Sequence, residues 1–259
     1  MNSPRVPRAL RTRWLGCHVE DHELVDSTNA RAWERVSADA PHGTVVVAGR
    51  QTAGRGRQGR EWTSALGNLF ASILLRPTGP HARDAAVSLV IGLEIARTLR
   101  DAFAVADVGV KWPNDVHVAG RKIAGILVEG RFDPPARMVA GFGVNLCRPD
   151  DGWGDLEGRA SALDEVGPSV GPGAFLEELL PRLESALDDF WSAGFTPRQE
   201  DWRAVDVLAG RTILYERDGH RAEGRVEGVD TSGALCVVGP DGSPVRLHGG
   251  EVHLVGVEP

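Results

Sequence analysis

Apolar and polar positions along this 259-residue chain change period several times, and each change predicts an element. Thr44-Val45-Val46-Val47-Ala48 and Asn68-Leu69-Phe70-Ala71-Ser72-Ile73-Leu74-Leu75 are short apolar runs bounded by polar residues, which read as two buried strands. A helix is predicted near Asn29–Ser37. A second covers Asp84–Ala102, where Ala85, Leu89, Leu93, Ala96 and Leu99 share one face. Val108–Val118 alternates, breaks at Pro113-Asn114-Asp115 and resumes, so two strands should flank a turn. Gly120–Glu129 and Val139–Leu146 follow as strands containing glycines, which mark bulges or close approach by a ligand or another backbone. From Pro172 to Ala193 the residues Phe175, Leu179, Leu183, Leu187 and Phe190 recur at helical intervals and predict a helix facing the core.

Beyond Gly210 the pattern becomes short strands, Arg211–Arg217, His220–Val229, Ala234–Gly239 and Val245–Leu247, with Asp218-Gly219 and Asp241-Gly242 turns between them. These hairpins suggest a small β-barrel. The length suits one substantial domain, residues 1–209, plus a small one, residues 210–259.

A formal charge of −7 argues against broad nucleic-acid affinity, and Arg5, Arg8, Arg11 and Arg13 read as a solvated tail. Cys17, Cys147 and Cys236 form an odd set without metal-ligand spacing, as expected of a reduced cytoplasmic protein. No apolar run approaches the roughly 18 residues of a membrane span, and no signal-peptide core follows Met1, so a soluble protein without membrane partners is expected.

Against that acidic background one segment stands out, Gly54-Arg55-Gly56-Arg57-Gln58-Gly59-Arg60-Glu61-Trp62. Glycines bring backbone N–H groups close to a ligand, and arginine forks suit carboxylate and phosphate oxygens. The loop should join neighbouring strands, and it lacks both the Walker Gly-Lys-Ser/Thr ending and the dinucleotide glycine pattern. A solvated basic loop is the alternative reading. Lys111 and Lys122 are the only lysines; Lys111 reads either as an ordinary surface lysine flanking a hairpin or, in a chain that otherwise uses arginine, as a compact point charge. Asn145 ends its strand with an amide able to read a hydrogen-bonding edge such as adenine.

Gly54–Trp62, Lys111-Trp112-Pro113-Asn114-Asp115 and Lys122–Leu127, flanked by Asp26-Ser27-Thr28-Asn29 and Gly141-Phe142-Gly143-Val144-Asn145, resemble the biotin protein ligase family in order and spacing. The resemblance runs from about Asp26 to the C-terminus. It implies an α+β fold like that of class II aminoacyl-tRNA synthetases, a central mixed β-sheet flanked by helices, with a C-terminal SH3-like barrel. It also implies ATP-dependent formation of biotinyl-5′-adenylate, with Mg2+, then transfer of biotin to a lysine of a biotin carboxyl carrier domain.

By the same resemblance Lys111, Arg57 and Arg55 are the catalytic residues. Ser27, Thr28, Gln51, Gly54, Arg55, Gly56, Arg57 and Gly125 bind biotin, while Arg57, Arg60, Trp62, Lys111, Asn114 and Asn145 bind the nucleotide. Ser27 and Thr28 also suit a helix cap, and Trp62 and Trp112 suit the core as well as a ligand cover. Asp115 has no firm role, and no magnesium ligand can be chosen. Asp150–Asp155 is expected as a mobile loop closing over the adenylate, or as a plain linker.

About 25 residues precede Asp26, too few for the winged helix of a repressor, so no DNA partner is expected. A monomer or weak homodimer is expected. The competing functions are a lipoate ligase or octanoyl transferase of related fold, and a catalytically silent biotin-binding module.

Overall fold

A computed structural model describes residues 5–6, 10–81, 86–133, 135–217 and 219–255. Arg8, Asp84, Ala85 and Asp218 lie outside the described residues, and with them the expected start of the second helix.

Strands β1 (Val19–Val25), β2 (Val45–Gln51), β3 (Leu69–Leu75), β4 (Val108–Lys111), β5 (Asp115–Val118), β6 (Arg121–Arg131) and β7 (Arg137–Val144) form a seven-stranded sheet in the order β1-β2-β3-β7-β6-β5-β4. β1 runs parallel to β2 and every other pairing is antiparallel, so the expected mixed sheet is present. The helices are α1 (Thr28–Ser37), α2 (Val87–Arg97), the short α3 (Leu163–Val166), α4 (Pro172–Ala193) and the short α5 (Gln199–Arg203). α2 continues as a wider π-helical turn over Thr98–Ala102.

Period-two alternation divides the sheet into two unlike faces. Val45, Val47, Leu69, Ala71, Ile73, Val110, Val116, Ala124, Ile126, Ala140 and Phe142 join the main apolar core, together with α2 and α4. The opposite face carries Val46, Leu74 and Val139 only where α1 covers it, through Ala32 and Val36. Elsewhere the alternate positions on β3 through β7 are small or polar apart from Phe70 and Leu127. Phe70, Gly143, Gly125, Asp115 and Lys111 are successive register partners across β3, β7, β6, β5 and β4. That row crosses five strands with no bulky side chain of its own between Phe70 and Asp115, and the Trp62 ring lies on its two glycines.

Strands β8 (Thr212–Arg217), β9 (His220–Val229), β10 (Leu235–Val238), β11 (Pro244–Leu247) and β12 (Val252–Leu254) form a five-stranded antiparallel sheet in the order β11-β10-β9-β8-β12. Its apolar residues Ile213, Tyr215, Val226, Leu235 and Val237 are continuous with the main core.

The N-terminal arginines are not all a free tail. Consecutive N–H groups of Arg13, Trp14 and Leu15 donate to the buried Glu184 carboxylate at 2.8–3.0 Å, and the Trp14 indole donates to Asp188. Arg13 also pairs with Asp188, and Arg5 with Asp21. Burial works against the charged Glu184, but these donors outweigh it and hold its carboxyl below the usual range.

Glu184→Ala strips buried donors of their acceptor, and the expected cost is about 1–3 kcal/mol. A urea midpoint below wild type at pH 7 is the check. The difference between the two proteins should shrink as acid protonates Glu184, because a depressed carboxyl stabilises above its unfolded pKa and loses that contribution as pH falls through its folded value.

Candidate active site

The Gly/Arg loop leaves β2 and returns to β3, as the sequence predicts, and is closed by its own backbone. Arg55 bridges Glu61, Trp62 N–H donates to Gly54, and Gly56 N–H donates to Arg60. Gln58 takes the left-handed conformation, φ 57°, so the chain reverses between Arg57 and Arg60. Gly54 is not among the residues that line the cleft described below. A Cβ there would lie 2.8 Å from the Trp62 carbonyl and 3.0 Å from Gln51 Nε2, so the glycine is needed for loop closure.

Every other residue assigned from the sequence lines one cleft of about 1580 Å³ on the small-residue face of the sheet: Ser27, Thr28, Gln51, Arg55, Gly56, Arg57, Arg60, Trp62, Lys111, Asn114, Gly125 and Asn145. A cleft for one drug-sized ligand is typically about 300–1,000 Å³, so this one has room for two substrates together.

One end is neutral and polar. Ser27 occupies the cap position of α1 but makes no side-chain cap hydrogen bond, so its buried hydroxyl is not committed to the helix. Gln51 Oε1 accepts from Thr28 N–H at 2.8 Å and from Thr28 Oγ1 at 3.2 Å, which turns its amide nitrogen away from them. Ser72 Oγ lies 2.8 Å from Thr28 Oγ1 and 2.6 Å from Asn29 Oδ1. Asn29 Nδ2 donates onward to Glu129 at 2.8 Å. Asn29 crosses β7 at Gly141, where a Cβ would sit 2.0 Å from its Oδ1.

The other end is cationic. The Arg57 guanidinium donates to Asn114 Oδ1 at 3.3 Å, and Asn114 is fixed by donating Nδ2–H to Ile126 O at 2.8 Å. Burial pushes the Arg57 pKa down, with Asp115 opposing. Lys111 ends β4, and burial likewise lowers its pKa, again against Asp115. Lys122, quoted for its motif but given no role, places Nζ 2.7 Å from Asp115 Oδ1 and 5.3 Å from the centre of the Trp62 ring. Only the other lysine of this lysine-poor chain pointed to it.

Trp62 belongs to the cleft and not to the core. Its ring lies so close on Gly125 and Gly143 that a Cβ on either would meet it at 2.8 Å or less. Trp112 is core, 2% exposed, and donates to Gly233 O at 3.0 Å.

Arg60 pairs with Glu251, so the C-terminal sheet closes one wall, and Gly250, Val252, His253 and Leu254 line the cleft beside it. Asp150–Asp155 borders the cleft too. It is pinned by Trp153, buried against Ala160 and Ala162, whose indole donates to Glu165 at 3.2 Å. Asn145 lines the cleft while donating to Ser161 O at 3.1 Å. No group of three or more His, Cys, Asp or Glu residues placed to hold a metal occurs among the described residues. Nor is any described helix long and apolar enough to cross a membrane.

This geometry agrees with the comparisons. The model of the biotin/lipoate A/B protein ligase family matches residues 22–145, and that of the biotin protein ligase C-terminal domain matches residues 210–255. The biotin–[acetyl-CoA-carboxylase] ligase of Paracoccus denitrificans is 37% identical over 229 residues, 85% of this chain and 94% of that protein. The bifunctional ligase/repressor BirA of Bacillus subtilis is 30% identical over 98% of this chain and 79% of its own length. A biotin protein ligase from Aquifex aeolicus, solved in complex with biotin and ATP, superposes with a TM-score of 0.79 at 25% identity, covering 92% of this chain and 98% of that one. The chain thus belongs to the biotin/lipoate ligases, and among them to the biotin protein ligase family.

Proposed function

We propose that this ligase uses ATP to convert biotin into biotinyl-5′-adenylate and pyrophosphate, then passes the biotinyl group to a lysine on the carrier domain of acetyl-CoA carboxylase or a related carboxylase. The observation that carries the reading is the union, in one cleft, of a neutral pocket around Gln51 with the cations Arg57, Lys111 and Lys122. The ureido group of biotin offers two N–H donors and one acceptor, which suits Ser27, Thr28 and Gln51. Its valeryl chain then runs beside the Trp62 ring, which covers Gly125 and Gly143, and brings the carboxylate to the cationic end.

Attack of a carboxylate on the α-phosphate brings like charges together, so cations held in place beforehand lower the barrier. Arg57 and Lys122 are proposed to hold the carboxylate and α-phosphate, with Lys111 next to them and Arg55 and Arg60 at the exposed mouth. Trp62, Asn114 and Asn145 are proposed to contact the nucleotide, the indole offering a flat apolar surface to the base. Magnesium is proposed to arrive with ATP and to neutralise its phosphates; no residue of this chain is named as its ligand. We further propose a division at residues 209 and 210 and a cytoplasmic monomer or weak homodimer.

The test is pyrophosphate release from ATP with biotin or with lipoate as the acid, followed by labelling of a carrier domain. Release with biotin and label on the carrier lysine support the reading; release with lipoate alone overturns it.

Gly141→Ala probes the neutral end. Its methyl would displace Asn29 and break the chain of hydrogen bonds from Glu129 to Thr28. The expected result is roughly tenfold weaker biotin binding, about 1.4 kcal/mol, by titration calorimetry. Unchanged affinity would remove Asn29 and Ser72 from the pocket's architecture.

A further inference from the structure

Transfer of the biotinyl group needs an amine, yet an acceptor lysine with pKa near 10.4 arrives as an ammonium. The cleft therefore needs a proton acceptor beyond the reacting carbonyl. Asp115 is poorly suited, because its carboxylate is held by Lys122 Nζ at 2.7 Å. Lys111 is proposed to serve as a cation.

His117 remains. It is the register partner of Lys122 on β6 and of Gly109 on β4, on the same face as Asp115 and lining the same cleft. Two residues along a strand place it about 7 Å from the row that contains Asp115. Its Nδ1 lies 3.1 Å from the Gly120 carbonyl oxygen, which only accepts, so Nδ1 carries the hydrogen and Nε2 holds a lone pair. Nε2 is buried and has no hydrogen-bond partner among the described residues. In a protein such an atom calls for a reason.

We infer that His117 Nε2 is the base of the transfer step, taking a proton from the acceptor ammonium when entry of the lysine uncovers it. This rests on the ligase reading above. The freed amine uses its lone pair to form a C–N bond with the anhydride carbonyl carbon. The C–O bond to phosphorus breaks, its electron pair leaves with AMP, and the second proton on nitrogen passes to solvent.

The charges around His117 fit this role. Burial pushes its pKa down; the Gly120 carbonyl and Asp115 oppose that, while Lys111 and Lys122 reinforce it, so the ring is neutral near pH 7. Asp107 and Asp206 face the same cleft from the loop before β4 and the segment beside it. Arg57, Lys111 and Lys122 also disfavour a further cation, which eases proton loss from the incoming lysine.

The experiment separates the half-reactions. His117→Gln and His117→Asn are compared with wild type for pyrophosphate release from biotin and ATP, then for single-turnover transfer from enzyme-bound adenylate to a biotin carrier domain between pH 6 and pH 10. We expect adenylate formation to persist and transfer near pH 7 to fall roughly 10²-fold. The deficit should narrow toward pH 10, where the lysine loses its proton unaided. Normal transfer, a deficit independent of pH, or an equal fall in both half-reactions overturns the assignment. Wild-type enzyme that makes no adenylate overturns the ligase reading itself, a separate outcome.

Discussion

Arg57→Ala lowers biotin-dependent pyrophosphate release by roughly 10²–10³-fold, about 2.7–4 kcal/mol of transition-state stabilisation, while the fold survives. The size follows from where the guanidinium sits. It is half-buried in the cleft, its pKa is lowered by that burial, and its one side-chain hydrogen bond among the described residues, to Asn114, is a long 3.3 Å. Most of its donor fork is thus available to oxygens that gain charge during reaction. A circular dichroism spectrum and urea midpoint like those of wild type are expected. A folded variant turning over near the native rate would remove Arg57 from the mechanism.

Lys122→Met has an expected effect of the same order, roughly 10²–10³-fold on adenylate formation. Methionine keeps most of the apolar stem beside Trp62 and Gly125 but not the ammonium near Asp115. The loss then has two physical sources: a missing cation at the reacting oxygens, and an Asp115 carboxylate left without its partner in a site meant for anions. Lys122→Met with Asp115→Asn should therefore recover part of the rate. If the double variant is no better than the single one, unpaired negative charge is not a component of the defect.

These expectations also show where sequence reading succeeds. The stripe from Phe175 to Phe190 marks a helix whose bounds, Pro172 and Ala193, the structure reproduces, because that helix is amphipathic and starts at a proline. The strands carrying the cleft were legible because their glycines interrupt apolar runs. β1 was missed: Val19-Glu20-Asp21-His22-Glu23-Leu24-Val25 is an edge strand paired on one side only, with little burial to impose alternation. The docking of Arg13–Leu15 depends on a carboxylate about 170 residues away, which no local pattern records. Lys122 and His117 were visible as letters, but the register pairing that sets them opposite each other, with Lys122 in reach of Asp115, belongs to the sheet. Trp62 suited either the core or a ligand cover in the sequence, and the two glycines beneath it are what place its ring in the cleft.

The Arg60–Glu251 pair has a consequence for biosynthesis. The cleft draws its walls from Ser27 through Leu254, nearly the whole span of the chain. A ribosome must deliver almost all of the polypeptide before the last wall can meet the arginine loop. Truncated products that retain the loop and both lysines lack the wall that carries Glu251. The arginine loop and the wall it pairs with therefore come together only after the chain has been made through Glu251.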